Sequence, residues 1–275
     1  MPASSTRPEG ERAAARAAQP RPSPAEVDRL IFDRSGAVER PALGLLWREL
    51  MHYLLDPPPA PPAPATPPGD GHPVLVFPPF LCSDYSMRLL RRYLEACGYA
   101  TYGWGMGLNL GPSDAVLAGT ARLVAETSAR HGRRVSVIGV SLGGIYAREA
   151  AKLHPARVRQ VITLCSPFRL PTASTVAPLF RLCAARHGEA FAHLLPALAD
   201  PPPVPTAAIY TRRDGIVAWR SCVNPEAPEV ENIEVAGAHA TIARNPEALA
   251  IVAERLARPE AAAQPHAHAP AGAGA

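Results

Sequence analysis

The chain has 275 residues, of which 47% are hydrophobic and 19% are charged, so it can bury a sizeable core and is not disordered throughout. Its net charge is only +4, and its arginines are interspersed with acidic residues, which argues against nucleic acid as a partner. The longest apolar stretch, 74–82, is interrupted by two prolines and is far shorter than the roughly 20 residues that cross a bilayer. No integral membrane span is therefore expected.

The cysteines indicate a reducing compartment. They are odd in number and lack the spacing of metal ligands: Cys82, Cys97, Cys165, Cys183 and Cys222. The first residues include arginines but no apolar run before a cleavage site, so no secretory signal is predicted. The sequence therefore predicts a cytoplasmic protein with reduced thiols and without a metal site.

Composition divides the chain into four parts. Residues 1–24 and 259–275 are rich in alanine and proline without periodicity, and are predicted to be disordered tails. Residues 25–71 are predicted to hold one amphipathic helix followed by a stiff proline-rich linker. Residues 72–258 carry the pattern of one folded domain.

The amphipathic helix has two distinct faces. Its apolar residues follow helical spacing: Leu43, Leu46, Trp47, Leu50 and Leu54. Its polar residues lie opposite them: Arg48, Glu49, His52 and Asp56. Because the polar face is not basic, we expect this helix to dock on the main domain rather than on a membrane surface.

From residue 72 onward, short apolar segments alternate with amphipathic ones. The predicted strands are 74–77, 100–104, 135–139, 158–164, 206–211 and 231–236. The predicted helices are 85–97, 112–131, 142–154 and 246–257. This alternation predicts an α/β domain with a mostly parallel sheet flanked by helices. The segment 168–199 interrupts the alternation and is predicted to be a helical insertion.

The motif Gly139-Val140-Ser141-Leu142-Gly143 lies between a predicted strand and a predicted helix. A sharp turn at this place lifts Ser141 Oγ out of the sheet and directs the amino terminus of the helix toward a developing negative charge. A side chain at either glycine would collide with the neighbouring strand or helix. The context predicts that Ser141 is a nucleophile.

With this motif the sequence resembles the α/β-hydrolase superfamily, and Gly-Val-Ser-Leu-Gly-Gly resembles its lipase and esterase members. The resemblance covers about residues 72–258, with residues 166–205 in the place of a helical cap insertion. It implies the chain order nucleophile, acid, histidine, the last two on loops after late strands. Asp214 and His239 follow predicted strands in this order. They are therefore the candidates for the acid and the base beside Ser141.

Other histidines and acids fit these roles less well. His131 and His154 lie at predicted helix ends, where a structural role is expected. His187 and His193 belong to the insertion and precede the acid in the chain. Weaker candidates for the acid are Asp114 and Asp200.

Acyl transfer also requires donors for the oxyanion. The resemblance implies the backbone N–H groups of Leu142 and, from the loop after the first strand, Phe80. Pro79 stands where relatives often have glycine, but it leaves the N–H of Phe80 free. Leu81, Phe180 and Phe191 are apolar and are expected to bind a hydrophobic substrate.

Together these features predict a serine hydrolase that cleaves carboxylic esters through an acyl-enzyme on Ser141, as lipases and esterases do. No cofactor is expected, because water releases the acyl group. Two alternatives stay open. An acyltransferase would use the same three residues with an alcohol or thiol acceptor, and a binding protein would keep the fold without catalysis.

Overall fold

The structure, a computed structural model, describes residues 41–55, 59–63, 68–171, 173–184 and 194–260. Its strands are β1 (Pro73–Phe77), β2 (Ala100–Gly103), β3 (Val135–Val140), β4 (Val158–Leu164), β5 (Thr206–Tyr210) and β6 (Val230–Glu234). Its α-helices are α1 (Leu43–Leu55), α2 (Arg88–Ala96), α3 (Asp114–His131), α4 (Leu142–Leu153), α5 (Ala177–Ala184) and α6 (Pro246–Ala257). The strands form one parallel sheet in the order β2-β1-β3-β4-β5-β6.

The sheet separates two apolar cores. Alternate residues of a strand point to opposite faces, so in β3 Val137 packs with helices α3 and α4, while Ile138 packs with α2 and α6. Every residue of β1, β3, β4 and β5 is buried, as expected for parallel strands covered by helices on both faces. The predicted α/β class is confirmed, and the observed strands differ from the predicted ones by two residues or fewer at each end.

Helix α1 docks on the domain as expected, but through the opposite face. Leu43, Trp47, Leu50 and Leu54 are between 44% and 74% exposed, whereas Glu49 is only 1% exposed. The expectation that Glu49 lies on the solvent face is therefore wrong. The reason is that loops of the domain present backbone N–H donors to this helix, and a carboxylate can accept from them while an apolar side chain cannot.

The predicted insertion between β4 and β5 is only partly helical in the residues that the structure describes. It contains α5 and a 3-10 turn at Leu195–Ala197, and a short antiparallel bridge joins Ser174 to Val217 in the loop after β5. Phe191 lies outside the described residues, as do His187 and His193. The predicted disordered tails also lie outside them, except for residues 259 and 260.

No helix among the described residues is long and apolar enough to cross a membrane. All five cysteines are free thiols, three of them buried.

Candidate active site

The carboxyl ends of β3, β5 and β6 bring the predicted catalytic residues to one edge of the sheet. Ser141 directly follows β3, Asp214 lies in the loop after β5, and His239 lies in the loop after β6. β3 pairs with β4, β4 with β5, and β5 with β6, so the three loops leave the same edge within four consecutive strands. In open parallel sheets this edge is where ligands bind.

Ser141 lies in a strained strand-to-helix turn. Its φ of 50° and ψ of −120° fall in a region that side chains rarely adopt, and its N–H donates to the carbonyl of Leu164 in β4 at 2.8 Å. A Cβ on Gly139 would lie 2.3 Å from the backbone of Gly144, and one on Gly143 would lie 2.4 Å from the carbonyl oxygen of Phe77. The steric requirement for glycine at both positions is therefore confirmed.

Asp214 and His239 form a buried hydrogen-bonded pair. His239 Nδ1 lies 2.6 Å from Asp214 Oδ2, and the two residues are 6% and 4% exposed respectively. The other carboxylate oxygen, Oδ1, accepts from the N–H groups of Ile216 at 2.9 Å and Val217 at 2.7 Å. A carboxylate held in this way accepts a proton-bearing Nδ1, which leaves Nε2 of the neutral ring as an acceptor.

The surroundings of His239 favour its protonated form. Burial by itself would lower the pKa of this imidazole, but the carboxylate of Asp214, with a further contribution from Glu49, raises the pKa above its ordinary value of 6.5. Cys165, at the end of β4, lies beside the pair, and burial raises the pKa of its thiol. The imidazole is thus arranged to receive a proton next to a stabilising negative charge.

Two backbone donors lie near the start of α4. Among the described residues, the N–H groups of Phe80 and Leu142 donate to no acceptor within the protein. Leu142 is the first residue of α4, and the loop containing Phe80 packs against the same apolar core. Asn109 holds that loop, because its side chain donates to the carbonyl of Pro78 at 2.9 Å and its own carbonyl accepts from Leu81 at 2.8 Å.

The predicted substrate-binding residues Phe180 and Leu81 differ in their exposure to solvent. Phe180, on α5, is buried and meets Phe80 in an edge-to-face contact with ring centroids 5.5 Å apart. Leu81 is 40% exposed and has a positive φ of 59°. The insertion therefore contacts the loop after β1, next to the serine turn.

Solved structures share this architecture. The monoacylglycerol lipase of Paleococcus ferrophilus is 15% identical and matches with a TM-score of 0.54 over 69% of this chain and 95% of its own. Aspergillus fumigatus lipase B is 16% identical and matches with a TM-score of 0.52 over 91% of this chain and 75% of its own. The chain has the α/β-hydrolase fold. No protein-family model and no curated protein matches its sequence.

A second serine, histidine and aspartate meet at the opposite edge of the sheet. His72 Nδ1 contacts Asp70 Oδ1 at 2.5 Å, and His72 Nε2 contacts Ser136 Oγ at 2.8 Å. Ser136 lies inside β3 and is 0% exposed, whereas Ser141 lies in a loop and is 7% exposed. Burial lowers the pKa of His72, so this ring is a neutral structural bridge between the starts of β1 and β3.

The weaker candidates have structural surroundings. His131 Nε2 contacts the hydroxyl of Tyr102 at 2.7 Å, and His154 ends helix α4. Asp114 lies in the first turn of α3, and Asp200 follows the 3-10 turn of the insertion. The residue that sequence analysis missed is Glu49, whose carboxylate contacts both the loop of Asp214 and the loop of His239.

Proposed function

We propose that the protein is a serine hydrolase that cleaves carboxylic esters with Ser141, His239 and Asp214. The observation that carries this proposal is the buried 2.6 Å contact between Asp214 and His239, at the sheet edge where Ser141 follows β3. The two lipase structures support it through their similar fold, which is an argument by analogy.

In the proposed reaction Ser141 Oγ attacks the ester carbonyl carbon while His239 Nε2 takes the hydroxyl proton. The negative charge on the carbonyl oxygen is stabilised by the N–H groups of Leu142 and Phe80. His239 then gives its proton to the departing alcohol, and an acyl group remains on Ser141. Water, deprotonated by the same imidazole, attacks this acyl-enzyme, and His239 returns that proton to Ser141 Oγ as the carboxylic acid leaves.

Covalent labelling tests the nucleophile directly. A fluorophosphonate probe should label the native protein on Ser141, identified by mass spectrometry of the digested protein, and should fail to label Ser141→Ala. Ser136→Ala is the matched control, because Ser136 has a histidine and an aspartate nearby but is fully buried. Labelling that persists in Ser141→Ala and disappears in Ser136→Ala would contradict the proposal.

The same proposal includes an apolar acyl site next to Phe180. Replacing Phe180 with alanine should lower kcat/KM for long-chain nitrophenyl esters several-fold relative to short-chain esters, since each buried methylene contributes about 0.8 kcal/mol. Leu179→Ala is the control on the same helix, because Leu179 is 42% exposed. A chain-length profile that is the same in both variants and the native protein would show that Phe180 does not contact the acyl chain.

A further inference from the structure

Glu49 is a buried carboxylate for which the proposed reaction gives no role. It belongs to α1, more than 80 residues before the serine turn, and only 1% of it is exposed. Carboxylates are almost never buried to this degree unless their oxygens are hydrogen-bonded. The position of Glu49 is therefore explained by the groups that its two oxygens bind.

Three backbone N–H groups donate to this carboxylate. Oε1 accepts from Gly215 and from His239, each at 2.9 Å, and Oε2 accepts from Ala240 at 2.9 Å. Gly215 directly follows Asp214, and Ala240 directly follows His239. The Oε1 atom alone thus joins the loop that contains Asp214, called the acid loop below, to the backbone of His239.

We propose that Glu49 is a positioning residue for the hydrolysis, holding the backbone of His239 at a fixed place relative to the backbone of Asp214. This inference rests on the proposed function. An ionised carboxylate only accepts hydrogen bonds, so it matches a site made of three donors. With both loops fixed, the imidazole and the carboxylate of Asp214 keep their contact through each proton transfer.

The packing of α1 on the acid loop supports the same role. A Cβ on Gly215 would lie 2.5 Å from the carbonyl oxygen of Leu45 and 2.7 Å from Glu49 Cγ, so the helix approaches this loop closely enough to require glycine. On either side of this contact, Arg48 donates to the carbonyl of Arg213 at 2.8 Å, and Arg244 donates to the carbonyl of His52 at 3.2 Å. Helix α1 is therefore fastened to both loops.

Glu49 also contributes charge at the imidazole. In the part of the chain that the structure describes, the ionisable groups that face His239 are Asp214 from the loop after β5, Glu49 from α1 and Cys165 from the end of β4. Both carboxylates raise the pKa of His239 against the effect of burial. Removing the charge of Glu49 should therefore lower the pKa at which His239 titrates, which a purely structural contact would not do.

The test compares Glu49→Gln with Glu247→Gln by measuring ester hydrolysis against pH. Glu247 is a matched control, because its carboxylate accepts from the N–H of Ala236 at 3.2 Å on the exposed side of the same loop. In Glu49→Gln we expect kcat to fall about tenfold or more with KM little changed, since a 1 Å displacement of a catalytic group can cost about 10²-fold in rate. We also expect the apparent pKa of the pH–rate profile to fall, since Glu49 helps to raise the pKa of His239. Glu247→Gln should change neither quantity.

Glu49→Ala removes all three acceptor contacts and should lower kcat further than Glu49→Gln does. Circular dichroism and thermal unfolding verify that each variant is folded, and if Glu49→Ala does not fold, the glutamine variant of equal size is sufficient. A folded Glu49→Gln with native kcat and native apparent pKa would overturn the positioning role. An active Ser141→Ala, measured in parallel, would instead overturn the proposed hydrolase mechanism.

Discussion

Replacing Ser141 with alanine is expected to lower kcat for ester hydrolysis by a factor of about 10⁴ or more. The alanine variant cannot form an acyl-enzyme, so only the oxyanion donors and substrate binding remain to accelerate attack by water. The measurement is the initial rate with a nitrophenyl ester at saturating concentration, compared with the native protein.

The same substitution should leave stability almost unchanged. Ser141 lies in a turn, and its side-chain hydroxyl makes no hydrogen bond to the other described residues, so its loss leaves no buried partner unsatisfied. The midpoint of thermal unfolding should therefore stay close to that of the native protein. A folded Ser141→Ala variant that kept more than a tenth of the native rate would eliminate Ser141 as the nucleophile.

Replacing Asp214 with asparagine is expected to lower kcat by about 10⁴ while keeping the fold. The Oδ1 atom of asparagine can still accept from Ile216 and Val217, so the loop keeps its hydrogen bonds. The amide NH2 would replace Oδ2 and donate to His239 Nδ1, which places the ring proton on Nε2. In that tautomer Nε2 cannot accept the proton of the serine.

The pH dependence of kcat/KM follows from the direction in which the pKa of His239 is shifted. The imidazole is active when neutral, so kcat/KM should rise with pH as His239 loses its proton. Because Asp214 and Glu49 raise the pKa of His239, the midpoint of this rise should lie above 6.5 in the native protein. In Asp214→Asn burial is no longer balanced by that charge, so the midpoint of the residual activity should move to lower pH.

Asp200→Asn is the control for the acid, because Asp200 lies in the insertion, apart from the contact with His239. Its kcat and its pH profile should match those of the native protein. A fully active Asp214→Asn together with an inactive Asp200→Asn would show that the assignment of the acid to the loop after β5 is wrong.

The sequence by itself determined the features that depend on neighbours in the chain. The alternation of short apolar segments with amphipathic ones predicted the parallel α/β architecture, and α6 has the bounds that its pattern predicts. The steric need for glycine at Gly139 and Gly143 was also predictable, because both lie within two residues of Ser141. A Cβ at either position would collide with the turn or with the strand beside it. Local geometry of this kind is set by the order of a few residues.

Only the tertiary structure decided the role of α1. Its apolar stripe predicted the buried face, yet Glu49 is buried instead, because its carboxylate binds N–H groups 166 and 190 residues away in the chain. No spacing within residues 43–55 indicates those donors, which become neighbours only after β5 and β6 pair in the sheet. Likewise Asp70, His72 and Ser136 meet because β1 pairs with β3. The patterns specified which segments are amphipathic, whereas contacts between distant segments determined which face is buried.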